Sequence, residues 1–301
     1  MRMPSLLVMS ALGGLACAPA EQPPGSTGPI SVAEVGFATP EGMLHDPAAD
    51  VYLVSNINGG PTDRDDNGFI SRVAPDGNVS ALKWIDGATD AVRLDAPKGM
   101  ALRGDTLFVA DIDTVRLFHR TSGTSLGAWG VPGATFLNDL AVGPDGTLYA
   151  TDTGIRLTAD GMQDAGTDAV YRFDGGQPIA VVSGAGLGRP NGIVADATGL
   201  TVATYGSGTV YRVDIATAAR TPLTTPPEGR LDGIVALPGG EFLVSSWAGA
   251  RVYRLGGAGA PVAVTDSVPS PADIAYDAKR NRLLIPVFTE DRLLFLPLGA
   301  R

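Results

Sequence analysis

One short phrase recurs six times along the chain, and that repeat restricts the possible folds more than any other feature. It is clearest in RPNGIVAD (189–196) and RLDGIVAL (230–237), with weaker copies in PEGMLHDP (40–47), PKGMALRG (97–104), LNDLAVGP (137–144) and PADIAYDA (271–278). Aligning the copies leaves one variable position, occupied in turn by Glu41, Lys98, Asn138, Asn191, Asp232 and Ala272. The intervals between them are 57, 40, 53, 41 and 40 residues, the size of a four-stranded blade. Each copy leads into a polar turn such as GPDG (143–146) or LPGG (237–240), then a second apolar run such as TLFVAD (106–111) or EFLVSS (241–246). A third run follows, as in AVYRFD (169–174) and RVYRLG (251–256), with the period-2 alternation of a strand buried on one face.

These units predict an all-β chain folded as a six-bladed β-propeller. The last unit stops after its third strand, RLLFLP (292–297), while PISVAEVGFA (29–38) precedes the first unit with no blade of its own. That segment is expected to supply the missing outer strand of blade six, closing the ring and covering its edges. A β-sandwich or an open solenoid is the alternative. The composition suits many short strands: 40 glycines and 23 prolines are spread through 301 residues, and only 18% of the chain is charged. The net charge of −10 disfavours nucleic acid and anionic membrane as partners.

Residues 1–17 read as a signal peptide. Arg2 precedes the apolar run SLLVMSALGGL (5–15), which is too short to span a bilayer. Cys17, the only cysteine, stands where a bacterial lipoprotein carries its acylated residue, and residues 18–29 form a Pro/Gly/Ser tether ahead of the domain at 30–301. Plain secretion after Ala18-Pro19-Ala20 is the alternative. Either way the domain is expected outside the cytoplasm, periplasmic or anchored by lipid, as a monomer without an internal disulfide.

The first strand of a propeller blade lines the central channel, so the six variable residues are expected to form a ring at one mouth. Glu41, Asn138, Asn191 and Asp232 offer oxygens there, Lys98 an ammonium and Ala272 nothing. Oxygens converging in this way suit one hard divalent cation, Ca²⁺ first, with Mg²⁺, Mn²⁺ or Zn²⁺ as further candidates. Two alternatives stay open: Asn-Gly and Asp-Gly as simple turn formers, and Lys98 as a salt-bridge partner of Glu41 or Asp232 that replaces the metal. His45 and His119 are expected away from the ring. DRDDNGFI (63–70) resembles a calcium loop but has Ala74 at its twelfth position, so it reads as a weak second cation site or a solvated turn. With LTADGMQDAGTD (157–168) it is expected to make a partial lid on the ring face.

The order Glu, Asn-Asp, Asn-Gly, Asp-Gly on successive inner strands resembles the gluconolactonase and senescence-marker-protein (SGL) family of six-bladed propellers, over roughly residues 30–300. The resemblance implies hydrolysis of a lactone or related ester, with a divalent metal held by Glu41, Asn191 and Asp232. Asp232 would also act as base, and Asn138 would orient the substrate or stabilise an oxyanion. Asp139 would support the ring from behind. The family's usual Gly-Pro-aromatic after the Glu is here Gly42-Met43-Leu44, its sugar-binding arginine is Phe136, and Lys98 is an addition on the substrate side. These departures point to a lactone more apolar than a sugar, or to a propeller that binds a small ligand or partner protein without turnover.

Overall fold

The computed structural model describes residues 28–256 and 259–299; Cys17, the signal segment and most of the tether lie outside the described residues. The described chain is a ring of six four-stranded antiparallel sheets with one small added hairpin. The inner strands of the blades are Pro40–Asp46, Pro97–Arg103, Leu137–Val142, Pro190–Asp196, Leu231–Leu237 and Ala275–Asp277. Each packs beside the inner strands of its two neighbours, so the six together line a channel. Among the described residues the only helix is a single 3-10 turn, Phe288–Glu290.

The N-terminal strand closes the ring as expected. Ile30–Val32 pairs antiparallel with Arg292–Pro297 in blade six, placing Ile30 opposite Phe295 and Val32 opposite Leu293. It is shorter than the apolar run 29–38 suggested. Glu34 takes a left-handed backbone (φ 58°) and Gly36 follows at φ 98°, so the extended ladder cannot continue. On the channel side the seam between blades one and six is held by backbone: Asp273 N–H donates to the Glu41 carbonyl at 2.9 Å, and Met43 N–H to the Asp273 carbonyl at 3.1 Å.

The core is divided into layers between successive blades, as the alternating strands require. Leu53 and Ile70 of blade one face Leu107 and Phe118 of blade two. Tyr52 and Val54 meet Leu293 and Phe295 across the closing seam. Each such fully buried side chain contributes about 2 kcal/mol. The two long repeat intervals also have a structural cause. Blade one inserts residues 57–68 between its second and third strands, and blade three inserts the hairpin Ile155–Thr158 with Gly161–Asp164. Both insertions leave from the ends of second strands and lie on the ring face.

Candidate metal and substrate site

In five blades the ladder between inner and second strand breaks at the ring position: between Pro40 and Met43, Pro97 and Met100, Leu137 and Leu140, Pro190 and Ile193, and Leu231 and Ile234. A break of this kind re-aims side chains that a regular strand would send up or down the sheet. The second residue of each displaced pair packs against the next blade around the axis. A Cβ on Gly192 would lie 2.4 Å from the Asp232 carbonyl oxygen, and one on Gly233 2.4 Å from the Ile274 nitrogen, so those positions need glycine. Hydroxyls on second strands take up the freed N–H groups: Ser55 accepts from Gly42 at 2.8 Å, Thr151 from Asp139 at 3.0 Å and Ser245 from Gly233 at 2.9 Å.

The five polar ring side chains expected from the repeat are all buried at this level of the channel. Glu41 Oε2, Asn138 Oδ1, Asn191 Oδ1 and Asp232 Oδ1 are each buried without a hydrogen-bond partner. For Asn138 the orientation has a cause: its Nδ2 donates to Thr153 Oγ1 at 3.1 Å, which leaves Oδ1 as an unused acceptor. Four orphaned buried oxygens are costly unless a hydrogen-bond donor or a cation satisfies them. Among the described residues no three His, Cys, Asp or Glu side chains gather to hold a metal on their own. A cation bound at this ring therefore depends on the amide oxygens, a donor set that suits a hard ion.

Lys98 does not fill that place. It is 1% exposed, its Nζ donates to the Ala96 carbonyl at 2.9 Å, and it lies 4.5 Å from the centre of the Phe136 ring. No ion pair within 4.0 Å joins it to a carboxylate among the described residues. Burial brings its pKa down to about 8, against the opposing pull of Glu41 and Asp111. Burial and the neighbouring Asp232 push the Glu41 carboxyl well above its usual range. Burial also raises Asp232 to about 7. The Trp247 indole faces that carboxyl and offsets part of the rise, although its Nε1 has no hydrogen-bond partner.

The residue after the ring position is aspartate in blades three and six, where the other four blades have glycine. Asp139 bridges blades: Oδ2 accepts from Ile193 N–H at 2.8 Å, and Oδ1 from Leu140 N–H at 2.6 Å. Burial nonetheless lifts its pKa to about 7. Asp273 is buried, and burial together with Asp139, Glu41 and Asp232 holds its carboxyl well above the usual range. Beyond these two carboxyls, away from the ring, the channel widens into a cavity of about 460 Å³ lined by Met43, Met100, Ile193 and Ile234.

The sequence profile of the SMP-30/gluconolactonase/LRE-like region matches residues 67–286. The chain belongs to this family. Among solved structures, a putative gluconolactonase is similar at 19% identity and TM-score 0.69, covering 92% of this chain and 94% of that one. A gluconolactonase from Xanthomonas campestris is similar at 21% identity and TM-score 0.66, covering 87% of each chain. A virginiamycin B lyase from Staphylococcus aureus is similar at 14% identity and TM-score 0.59, covering 90% of this chain and 99% of that one. At such identities the likeness shows a common propeller. No curated protein sequence matches the chain significantly.

For this SMP-30/gluconolactonase-like chain the repeat brings Glu41, Lys98, Asn138, Asn191 and Asp232 to one level, with Asp139 adjoining them and Phe136 against Lys98. Asp273 was missed, although its signal is the one that marks Asp139: an aspartate where sister copies have glycine. His45 sits on the opposite face at 3.5 Å from both Asp50 and Asp277, and His119 contacts Ser122. Two aspartates of 63–70 serve their own loop: Asp63 accepts from Gly60 N–H at 2.9 Å and Asp65 from Asn67 Nδ2 at 2.7 Å. Asp66 instead ties the loop to the chain entering blade two, accepting from Leu94 N–H at 2.7 Å and donating its own N–H to Asp95 at 3.1 Å, so the segment is a turn capped partly by itself and partly by that neighbour.

Proposed function

We propose that this chain is a divalent-cation-dependent lactone hydrolase, with calcium the first candidate ion. One observation carries the proposal: four buried oxygens, from Glu41, Asn138, Asn191 and Asp232, stand without hydrogen-bond partners at the ring position of four inner strands. Family membership supports the same chemistry. Glu41, Asn191 and Asp232 would hold the ion, with the Asn138 oxygen beside them. A divalent cation bound there supplies Lewis acidity toward a lactone carbonyl and lowers the pKa of water at the site.

The chain's own residues do the rest. Asp232 takes a proton from the attacking water, and the water oxygen bonds to the carbonyl carbon. The ring C–O bond then breaks, and its oxygen recovers a proton to give the hydroxy acid. Asn138, its amide fixed by Thr153, orients the lactone. Lys98 and Phe136 lie on the substrate side. The test is metal analysis and a lactone panel on the purified domain, with and without chelator; an absence of both metal and turnover would sink the reading.

We further propose that the domain works outside the cytoplasm as a monomer held by a lipid on Cys17. The apolar run at 5–15, the cysteine after it and the Pro/Gly/Ser tether support this. Metabolic palmitate labelling that is lost in Cys17→Ser tests it, and a soluble, unlabelled wild-type protein would contradict it.

A further inference from the structure

A second six-fold set of residues stands at the channel mouth, one step past the end of every second strand. Those strands end at Asn56, Asp111, Asp152, Thr204, Ser246 and Val287. The residues that follow are Ile57, Ile112, Thr153, Tyr205, Trp247 and Phe288. In five blades the backbone pins this residue beside the ring, because its N–H donates to the carbonyl two residues before the ring position. The bonds run from Ile57 to Thr39 at 3.1 Å, Thr153 to Phe136 at 2.9 Å, Tyr205 to Arg189 at 2.9 Å, Trp247 to Arg230 at 3.0 Å and Phe288 to Ser270 at 3.1 Å.

Five of the six are apolar or aromatic, and they form one continuous arc. Phe288 packs on the buried pair Ile57 and Ile112; its ring centre is 5.1 Å from that of Trp247, which is 6.1 Å from that of Tyr205. Tyr205, Trp247 and Phe288 remain half-exposed, while Ile57 and Ile112 back them. The arc also reaches the ring electrostatically: burial first, and then the Asp232 charge, raises the Tyr205 hydroxyl pKa. The one polar member, Thr153, is committed to the ring, bonding Asn138 and the Pro190 carbonyl.

We infer that this arc is a subsite for an apolar substituent, so the substrate class is an alkyl-substituted lactone rather than a polyhydroxylated sugar lactone. The inference rests on the lactone-hydrolase reading and adds to it the identity of what the lactone carries. A sugar hydroxyl laid against the ring faces of Trp247 and Phe288 would lose hydrogen bonds to water that those faces do not replace. A methylene there gains up to roughly fourfold in affinity for each group fully buried. Phe136, in contact with the Lys98 ammonium, extends the same character into blade three.

The test is calorimetric binding of lactam analogues, which resist hydrolysis, to the purified domain in excess calcium. The lactam analogue of δ-decalactone, which carries a pentyl chain, is expected to bind about tenfold or more tighter than the unsubstituted δ-lactam. The lactam analogue of gluconolactone should bind more weakly than the pentyl compound. In Phe288→Ala the pentyl-to-unsubstituted ratio should shrink at least about threefold. Should that variant fail to fold, Tyr205→Ala with the same ratio, or the wild-type ratio alone, decides. A wild-type ratio near one, tighter binding of the gluconolactone analogue, or no binding of any lactam overturns the subsite. Tight pentyl-lactam binding without δ-decalactone hydrolysis would keep the subsite and overturn the hydrolase reading instead.

Discussion

The Lys98 ammonium lies 4.5 Å from the centre of the Phe136 ring and donates to a backbone carbonyl, so the one cationic side chain of the ring is held by a π-face and a peptide oxygen rather than by a carboxylate. Its charge is felt at Glu41 but does not neutralise the ring oxygens. A cation bound at the ring is therefore opposed by Lys98 through like-charge repulsion in a low-dielectric site. Lys98→Met, which keeps the stem and removes the charge, is expected to tighten calcium binding by about tenfold or more at neutral pH, read by calorimetry. If Lys98 instead stands in for the metal, the variant will bind no calcium and will lose stability.

Glu41→Gln and Asp232→Asn each remove one charge while nearly preserving shape. Each is expected to cost about a thousandfold in kcat/KM toward a hydrolysed lactone, comparable to losing a key polar group at an active site. Chelation should have the same effect on the wild type, reversed by adding back calcium. Circular dichroism and melting curves should stay close to those of the parent, because relieving buried like charges does not cost stability. Turnover that survives either variant or chelator would remove the ring from the mechanism.

Thr153 acts through Asn138. The bond from Asn138 Nδ2 to Thr153 Oγ1 leaves Oδ1 as the free end of the amide, the end that the proposed cation site requires. Thr153→Val keeps the volume and removes the acceptor, so the amide is free to turn. The expected result is calcium binding weakened by about tenfold, as for a lost orienting partner of a metal ligand, with Thr153→Ser restoring it. Equal binding in all three proteins would mean that packing alone orients Asn138.

Much of this arrangement was legible in the repeat. Once six copies are aligned, the variable letter names the ring, and the unpaired third strand of the last unit calls for Ile30–Val32. Asp273 was readable in principle by the rule that marked Asp139. The ladder breaks that turn ring residues toward the channel were not legible, because they follow from how closely six inner strands pack around the axis. The arc of Ile57, Ile112, Tyr205, Trp247 and Phe288 was hidden for another reason. Its members share a position but no common side chain, so only the register of the second strands lines them up.

The seam that closes the ring has an acid-sensitive lock on the face opposite the site. Arg280 of blade six donates to Asp50 of blade one and to Asp277, each at 2.8 Å, and Tyr52 donates to Asp277 at 2.7 Å. The Arg280 bond, with help from Lys279, holds the Asp50 carboxyl below the usual carboxylate range. Burial works to raise Asp277, but its bonds from Tyr52 and Arg280 outweigh that and leave it lowered as well. A carboxyl depressed in the folded state stabilises fully above its unfolded pKa of about 3.9, and that contribution is lost as pH falls toward the folded value. Melting temperature should therefore drop below about pH 4, more steeply for the wild type than for Arg280→Ala. The variant should already be about 1 kcal/mol weaker at pH 7, a modest figure because the pair is partly solvated. Parallel pH profiles for the two proteins would show that the lock contributes nothing.

Ser245 ties two blades together beneath the ring. Its hydroxyl accepts the N–H that the ladder break frees on Gly233, at 2.9 Å, and donates to the Ala272 carbonyl of blade six at 2.8 Å. Both partners are buried main-chain groups, so Ser245→Ala leaves a donor and an acceptor without partners. The expected cost is about 1–3 kcal/mol in urea unfolding, the range for stranding a buried polar group. Ser245→Thr should recover part of that stability, since Thr151 performs the same double duty in blade three, accepting from Asp139 N–H and donating to the Asn191 carbonyl. Because the bond positions Gly233, which follows Asp232, the alanine variant should also weaken calcium binding while the threonine variant keeps it. A stability loss without any change in calcium affinity would confine Ser245 to holding the blades together.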